Sequence, residues 1–237
     1  MPSSAPPPAL GHPAPAVSDA RLRHIPIFPL PRAQLFPGTL LPLHIFEPRY
    51  RAMLAYVLDE GERALAIAEL NPRGSMADPH RPPVHRIVGV GVVASVQRLD
   101  DGRANILLKG TDRAWLVEEL IDGSPFRFAR LQRLDELDVA LGHPDHQRLR
   151  GLLSRLAIQA PDARGALDLM LEQAGSPARL TDLVAAHLTP DAPLRRQLLD
   201  TLEVAPRLAL CCQHVERLLL ETADAPPNAE GGGPLLN

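Results

Sequence analysis

The chain has 237 residues, 45% of them apolar and 22% charged, which is enough to bury a core in one or two domains. A formal net charge of −3 and a pI near 6.3 supply no global positive field, and Lys109 is the only lysine, so nucleic acid is not the default partner. The two cysteines, Cys211 and Cys212, are adjacent; they cannot staple distant segments, which excludes a disulfide-framed secreted domain and fits a reducing compartment.

Residues 1–20 are dominated by Pro, Ala and Ser, lack the basic and apolar regions of an export signal, and are expected to be disordered. No run of 18 apolar residues occurs, so no membrane span is expected and the chain reads as cytoplasmic. Short apolar runs bounded by turn residues predict strands over 24–30, 39–46, 64–70, 87–96, 104–109, 114–120 and 126–134. A single helix interrupts them over 48–60. Pro48 suits its first turn and Gly61 its end, and Tyr50, Met53, Leu54, Val57 and Leu58 share one face as core. Asp100-Asp101-Gly102-Arg103 predicts a hairpin, with Gly102 supplying the positive φ.

Composition and hydrophobic period change near residues 135–145, the expected domain boundary. Beyond it the pattern is helical over 143–160, 163–174, 179–188, 191–202 and 205–222, with Pro190 and Pro193 punctuating the approach to the fourth helix. Leu208, Cys211, Cys212, Val215, Leu218 and Leu219 form a stripe on the last helix, so a compact antiparallel bundle is expected. The tail from 223 is again expected to be disordered.

Catalytic patterns are sparse. A P-loop places its lysine after a glycine-rich turn, whereas Lys109 follows Ile106-Leu107-Leu108 in a strand, so this route to ATP is excluded. A Ser-Lys dyad would need the same lysine beside a nucleophilic serine, and its setting offers none. No Gly-x-Ser-x-Gly elbow occurs, although a Ser-His-Asp triad assembled from distant positions stays open to spacing arguments. Three sets could in principle ligate metal: Asp78, His80 and His85; His143 and His146; and Cys211, Cys212 and His214. They read better as a proline-broken loop (Pro79, Pro82, Pro83), a helix start and core thiols, and neither metal nor cofactor is expected.

The segment IPIFPLPRAQLFPGTLLPLHIFEPRYRAML, from Ile25 to Leu54, combines an apolar strand with Phe36-Pro37-Gly38 and Leu41-Pro42-Leu43-His44-Ile45-Phe46-Glu47-Pro48-Arg49-Tyr50. It resembles the start of the Lon N-terminal substrate-binding family. VGVGVVASVQRLDDGRANILLKGTDRAWL, with Gly110 and Arg113, resembles the family's central hairpin, and SPARLTDLVAAHLTPDAPLRRQLLDTLEVAPRLALCCQHVERLL its helical part. Together the three blocks cover about residues 24–221.

The resemblance implies an α+β fold: a PUA-like β-barrel with one embedded helix, followed by a C-terminal helical bundle. The expected division is 1–20 disordered, 21–138 β domain, 139–222 bundle and 223–237 disordered. In full-length Lon proteases this module precedes an ATPase and a Ser-Lys protease, and this chain stops where those would begin. It is therefore expected to be a non-enzymatic, stand-alone protein-binding module, an adaptor or regulator in protein quality control. Its expected partners are unfolded or extended polypeptide and a separate protease or ATPase, with no nucleic acid and no membrane. An RNA-binding PUA-like module is the alternative, opposed by an aromatic content of only 3%.

The candidate peptide-binding residues are Leu35, Phe36 and Pro37, read as an exposed apolar loop, together with His44 and Phe46 of the family pattern. The competing reading is that Leu35 and Phe36 plug the barrel. Glu47 and Arg49 are expected to form a helix start and a surface ion pair.

Overall fold

The apolar runs form six strands, β1 (Ile25–Leu30), β2 (Leu40–Ile45), β3 (Ala64–Glu69), β4 (Ile87–Arg98), β5 (Ala104–Leu120) and β6 (Arg127–Arg133), in a computed structural model that describes residues 17–59, 61–74 and 81–224. Their sheet order is β2-β5-β4-β3-β1-β6, and β6 also pairs with β5. Hydrogen-bonded neighbours therefore run from β5 through β4, β3, β1 and β6 and back to β5. β5 can serve two partners because it is long: its first half pairs with β2 from Ala104 to Lys109, and its second half with β6 from Ala114 to Leu120. β1 and β3 pair in parallel; the crossover this demands carries helix α2 (Pro48–Asp59).

Strands expected over 104–109 and 114–120 are thus one. The polar run Thr111-Asp112-Arg113 stays extended because each side chain finds a partner there: Thr111 Oγ1 donates to the Val90 carbonyl at 3.2 Å, Asp112 pairs with Arg133 through Oδ1, and Arg113 pairs with Asp182. The expected hairpin is present, with Gly102 at φ +78° and its N–H donating to the Leu99 carbonyl.

Two apolar clusters line the strands. Tyr50, Met53, Leu54 and Val57 of α2 pack on Phe28, Ile45, Ile67, Ile106 and Leu108, and each large apolar residue fully buried there contributes about 1.5–3 kcal/mol gross. Ile25, Ile27, Val88, Val90, Ala114 and Leu131 form the other cluster.

The helical part comprises α3 (Pro144–Gln159), a 3-10 turn at Pro161–Ala163, α4 (Arg164–Gln173), α5 (Pro177–His187), α6 (Ala192–Asp200) and α7 (Val204–Asp224). Its core joins Leu149 and Leu153 to Leu167, Leu180, Val184 and Leu199 and to the α7 stripe of Leu208, Cys211, Cys212 and Val215, and Phe36 enters it from the strand half.

The disorder expected through residue 20 gives way at Val17, which is buried. Ser18 caps α1 (Asp19–Leu22) by accepting from the Arg21 N–H; residues 1–16 lie outside the described residues. At the other end α7 carries the backbone through 223 and 224, past the expected start of the disordered tail. Among the described residues no helix is long and apolar enough to cross a membrane.

Candidate functional site

The loop from β1 to β2 lies directly on the sheet because two glycines leave room for its backbone. A Cβ on Gly89 would come 2.0 Å from the Leu35 carbonyl oxygen, and one on Gly110 would come 2.1 Å from that of Phe36. The Gly38 N–H donates to the Gly110 carbonyl at 2.8 Å, and the Gly110 N–H to the Thr39 carbonyl at 2.9 Å.

This seating buries both apolar side chains of the loop. Leu35 and Phe36 are each 1% exposed, Leu35 in the cluster under α2 and Phe36 in the helical core. They are not an exposed capture loop; burial of these side chains fastens the two halves together. Pro37 is half-buried, and its carbonyl accepts from Arg179 Nη1 of α5 at 2.9 Å.

The other two candidates are on the surface. Phe46 is 57% exposed and His44 stacks against it, ring centroids 5.9 Å apart. His44 is held by a 2.7 Å contact between its Nδ1 and Asn105 Oδ1, and Asn105 donates in turn to Gln97. Along β2 alternate residues Leu40, Pro42 and His44 face outward, as the two-residue period of a strand requires. Among the described residues β2 pairs with β5 alone, so its second edge has no strand partner. Pro42, which has no N–H, is tolerated on such an edge. Leu40 was missed from sequence although it lies four residues before His44, on the same face.

A second concavity of about 560 Å³ lies where the strands meet α6, lined by Trp115, Ile87, Pro83, Asn71, His85 and Asp200. Trp115, the only tryptophan, is 42% exposed. Arg196 links two of its lining residues, donating to the Ile87 carbonyl and to Asp200, each at 2.9 Å. Burial, reinforced by Arg196, holds the His85 imidazole below its usual pKa.

The remaining candidates do not converge. Asp78 and His80 lie outside the described residues. His143 caps α3 by accepting from the Asp145 N–H, while His146 contacts the Leu141 carbonyl through Nδ1. His214 Nε2 is 2.8 Å from the Leu188 carbonyl. Among the described residues no three His, Cys, Asp or Glu residues come together in a way that could hold a metal. Burial pushes the Cys211 thiol far up and that of Cys212 up to about 11, leaving both protonated and unreactive near neutrality. Glu47 and Arg49 pair at 2.8 Å on the surface, and the Glu47 carbonyl accepts the first N–H groups of α2.

Residues 24–217 match the family model of the ATP-dependent protease La (LON) substrate-binding domain. The Lon protease of Phenylobacterium zucineum (strain HLK1) is 30% identical over 200 residues, covering 78% of this chain and 24% of that protein. The chain spans about a quarter of the length of the curated relatives it matches. Two solved structures share the fold. The N-terminal domain of a Mycobacterium avium complex Lon protease has a TM-score of 0.63 at 18% identity, with 81% of this chain and 98% of that one covered. The Lon N-terminal domain protein from Xanthomonas campestris has a TM-score of 0.57 at 21% identity, with 86% and 99% covered. With the family match running from β1 well into α7, the chain belongs to the Lon substrate-binding domain family.

Proposed function

We propose that this protein is a non-catalytic polypeptide-binding module, an adaptor or regulator in protein quality control, and that extended or unfolded segments lie along β2 against Leu40, His44 and Phe46. The observation that carries this reading is a half-exposed phenylalanine stacked on a histidine beside a strand edge that has no strand partner among the described residues. Such an edge offers backbone hydrogen bonds to an extended peptide, and apolar side chains beside it supply desolvation. On this reading the ring of strands is a PUA-like barrel, supported by the β5–β6 pairing. Residues 21–138 and 139–222 are its two domains, the cytoplasm is its compartment, and a separate protease or ATPase receives what it binds.

The test is titration of a reduced, unfolded model protein and of single-stranded RNA, each at low and high salt, with ATP added and cleavage followed. The reading expects salt-resistant polypeptide binding without cleavage, weakened about tenfold in the Leu40→Ala/Phe46→Ala double variant. Unchanged binding by that variant removes β2 as the surface. Binding confined to RNA and lost steeply with salt replaces the reading with an RNA-binding one.

A further inference from the structure

A cleft of about 380 Å³ separates α2 from the tip of the β4–β5 hairpin. Its walls are aliphatic, with Leu54 and Leu58 on the helix side and Leu99 and Ala104 on the hairpin side. Three guanidiniums border it, those of Arg51, Arg98 and Arg103, against a single rim carboxylate, Asp100.

The fold directs two of these arginines there. Arg98 pairs across the hairpin with Ala104; cross-strand partners share a face, and Ala104 is buried in the cluster beneath α2, so Arg98 leaves the sheet on the helix side. Arg51 comes from the opposite wall and packs on Gly102, where an added Cβ would stand 2.2 Å from its Nη2. The glycine that makes the turn also makes room for the guanidinium.

Arg103 is paired with Asp101. Among the described residues, the guanidiniums of Arg51 and Arg98 have neither a hydrogen-bond nor an ion-pair partner. Some exposed arginines elsewhere are paired, as Arg49 with Glu47, Arg130 with Glu118 and Arg148 with Glu216, and others, such as Arg23 and Arg155, are not paired among the described residues; what sets Arg51 and Arg98 apart is that both border one aliphatic cleft.

We propose that this cleft receives a carboxylate carried beside an apolar side chain on a polypeptide, the carboxylate held between Arg51 and Arg98 and the side chain resting on Leu54, Leu58 and Leu99. Charge complementarity selects the carboxylate, for which guanidinium is the matched donor. The aliphatic walls select what accompanies it, and the absence of any aromatic among the lining residues gives no platform for a nucleic-acid base. The carboxylate can be a polypeptide's C-terminal group or an Asp or Glu side chain. The inference rests on the polypeptide-binding reading but uses a different surface from β2, so the two fail separately.

The experiment compares fluorescent ten-residue peptides that end in Leu-Leu as the free acid, the same peptides as C-terminal amides, and amides carrying Glu beside Leu. Each is titrated into the intact protein, into Arg51→Gln/Arg98→Gln, into the surface control Arg49→Gln, and into Leu40→Ala/Phe46→Ala. A free acid that binds about tenfold more tightly than its amide, and loses that advantage in Arg51→Gln/Arg98→Gln alone, assigns the cleft to polypeptide C-termini. The same pattern for the Glu-bearing amide assigns it to acidic side chains. Equal binding of acid and both amides, an undiminished carboxylate preference in the double arginine variant, or loss of the preference in Leu40→Ala/Phe46→Ala overturns the inference. So does displacement of the peptide by equimolar single-stranded RNA, which would make the cleft a phosphate site. Arg51 and Arg98 are both exposed, and unchanged melting of the variants confirms that binding is what the substitutions alter.

Discussion

The Arg113 guanidinium of β5 donates to Asp182 of α5 at 2.5 and 3.2 Å, joining the strand half to the helical half through a pair in which neither side chain is more than 3% exposed. Arg207 of α7 reaches the same carboxylate at 3.0 Å and Glu136 at 2.9 Å, and Arg113 also pairs with Glu136. Two cations and two anions thus neutralise one another, with Arg113, Asp182 and Arg207 buried and Glu136 at the partly exposed edge. Above them the Arg113 guanidinium sits 5.6 Å from the Phe36 ring centre.

Removing one partner of a buried pair strands the others' charge, at a cost of about 3–5 kcal/mol. Arg113→Met is expected to lower unfolding stability by that amount. Arg113→Met/Asp182→Leu should lose less than the two single substitutions added together, because it removes charge in balance. Urea unfolding of the parent, the two single variants and the double variant measures the coupling; strict additivity would show that the pair does not act as one.

Gly110→Ala forces a methyl group against the Phe36 carbonyl, and the loop must lift. A loss of about 1–3 kcal/mol is expected, as for other overpacked sites. Gly61→Ala, whose Cβ would meet nothing within 4 Å, should stay within about 0.5 kcal/mol of the parent. Equal effects at the two positions would contradict the close seating of the loop.

The thiols make a kinetic prediction. Cys211 and Cys212 are both fully buried and burial raises both pKa values, so at pH 8 neither should react with a disulfide reagent on the time scale of minutes. Both should titrate at once in denaturant. Rapid reaction of the native protein would place one thiol in solvent.

Stability should also fall on mild acidification. Burial holds the His187 imidazole below its ordinary value of 6.5, with Arg179 adding to the effect, and His85 is lowered in the same sense by burial and Arg196. The unfolded chain therefore takes up these protons first as the pH drops below about 6.5, and the equilibrium moves toward it until the lowered native values are reached. Melting temperature measured from pH 7.5 to 5 should decline, and His187→Gln should flatten part of that decline. An identical profile for the variant would leave His187 out of it.

Much of this architecture was legible because it is local. The two-residue period of Leu40 to His44, the helical face of Tyr50, Met53, Leu54 and Val57, and the demand for positive φ at Gly102 are each decided within a few residues. So was the inert character of Cys211 and Cys212, which share an apolar stripe. The misread places depend on partners remote in sequence. Thr111-Asp112-Arg113 looks like a turn until Val90, Arg133 and Asp182 arrive to satisfy it. Leu35 and Phe36 fit either an exposed loop or a buried plug by sequence, and burial is decided only where Gly89 and Gly110 let their backbone settle onto the sheet.

The same division holds for the surfaces. Sequence by itself determined the strand and helix order, the family pattern and the exclusion of a P-loop, since these follow from residue type and spacing. Only the tertiary structure decided that Phe46 and His44 remain in water while Leu35 and Phe36 do not, and that Arg51 and Arg98 face one cleft from opposite walls. Burial and charge pairing are set by groups that meet across long stretches of sequence, and no local pattern records who those neighbours will be.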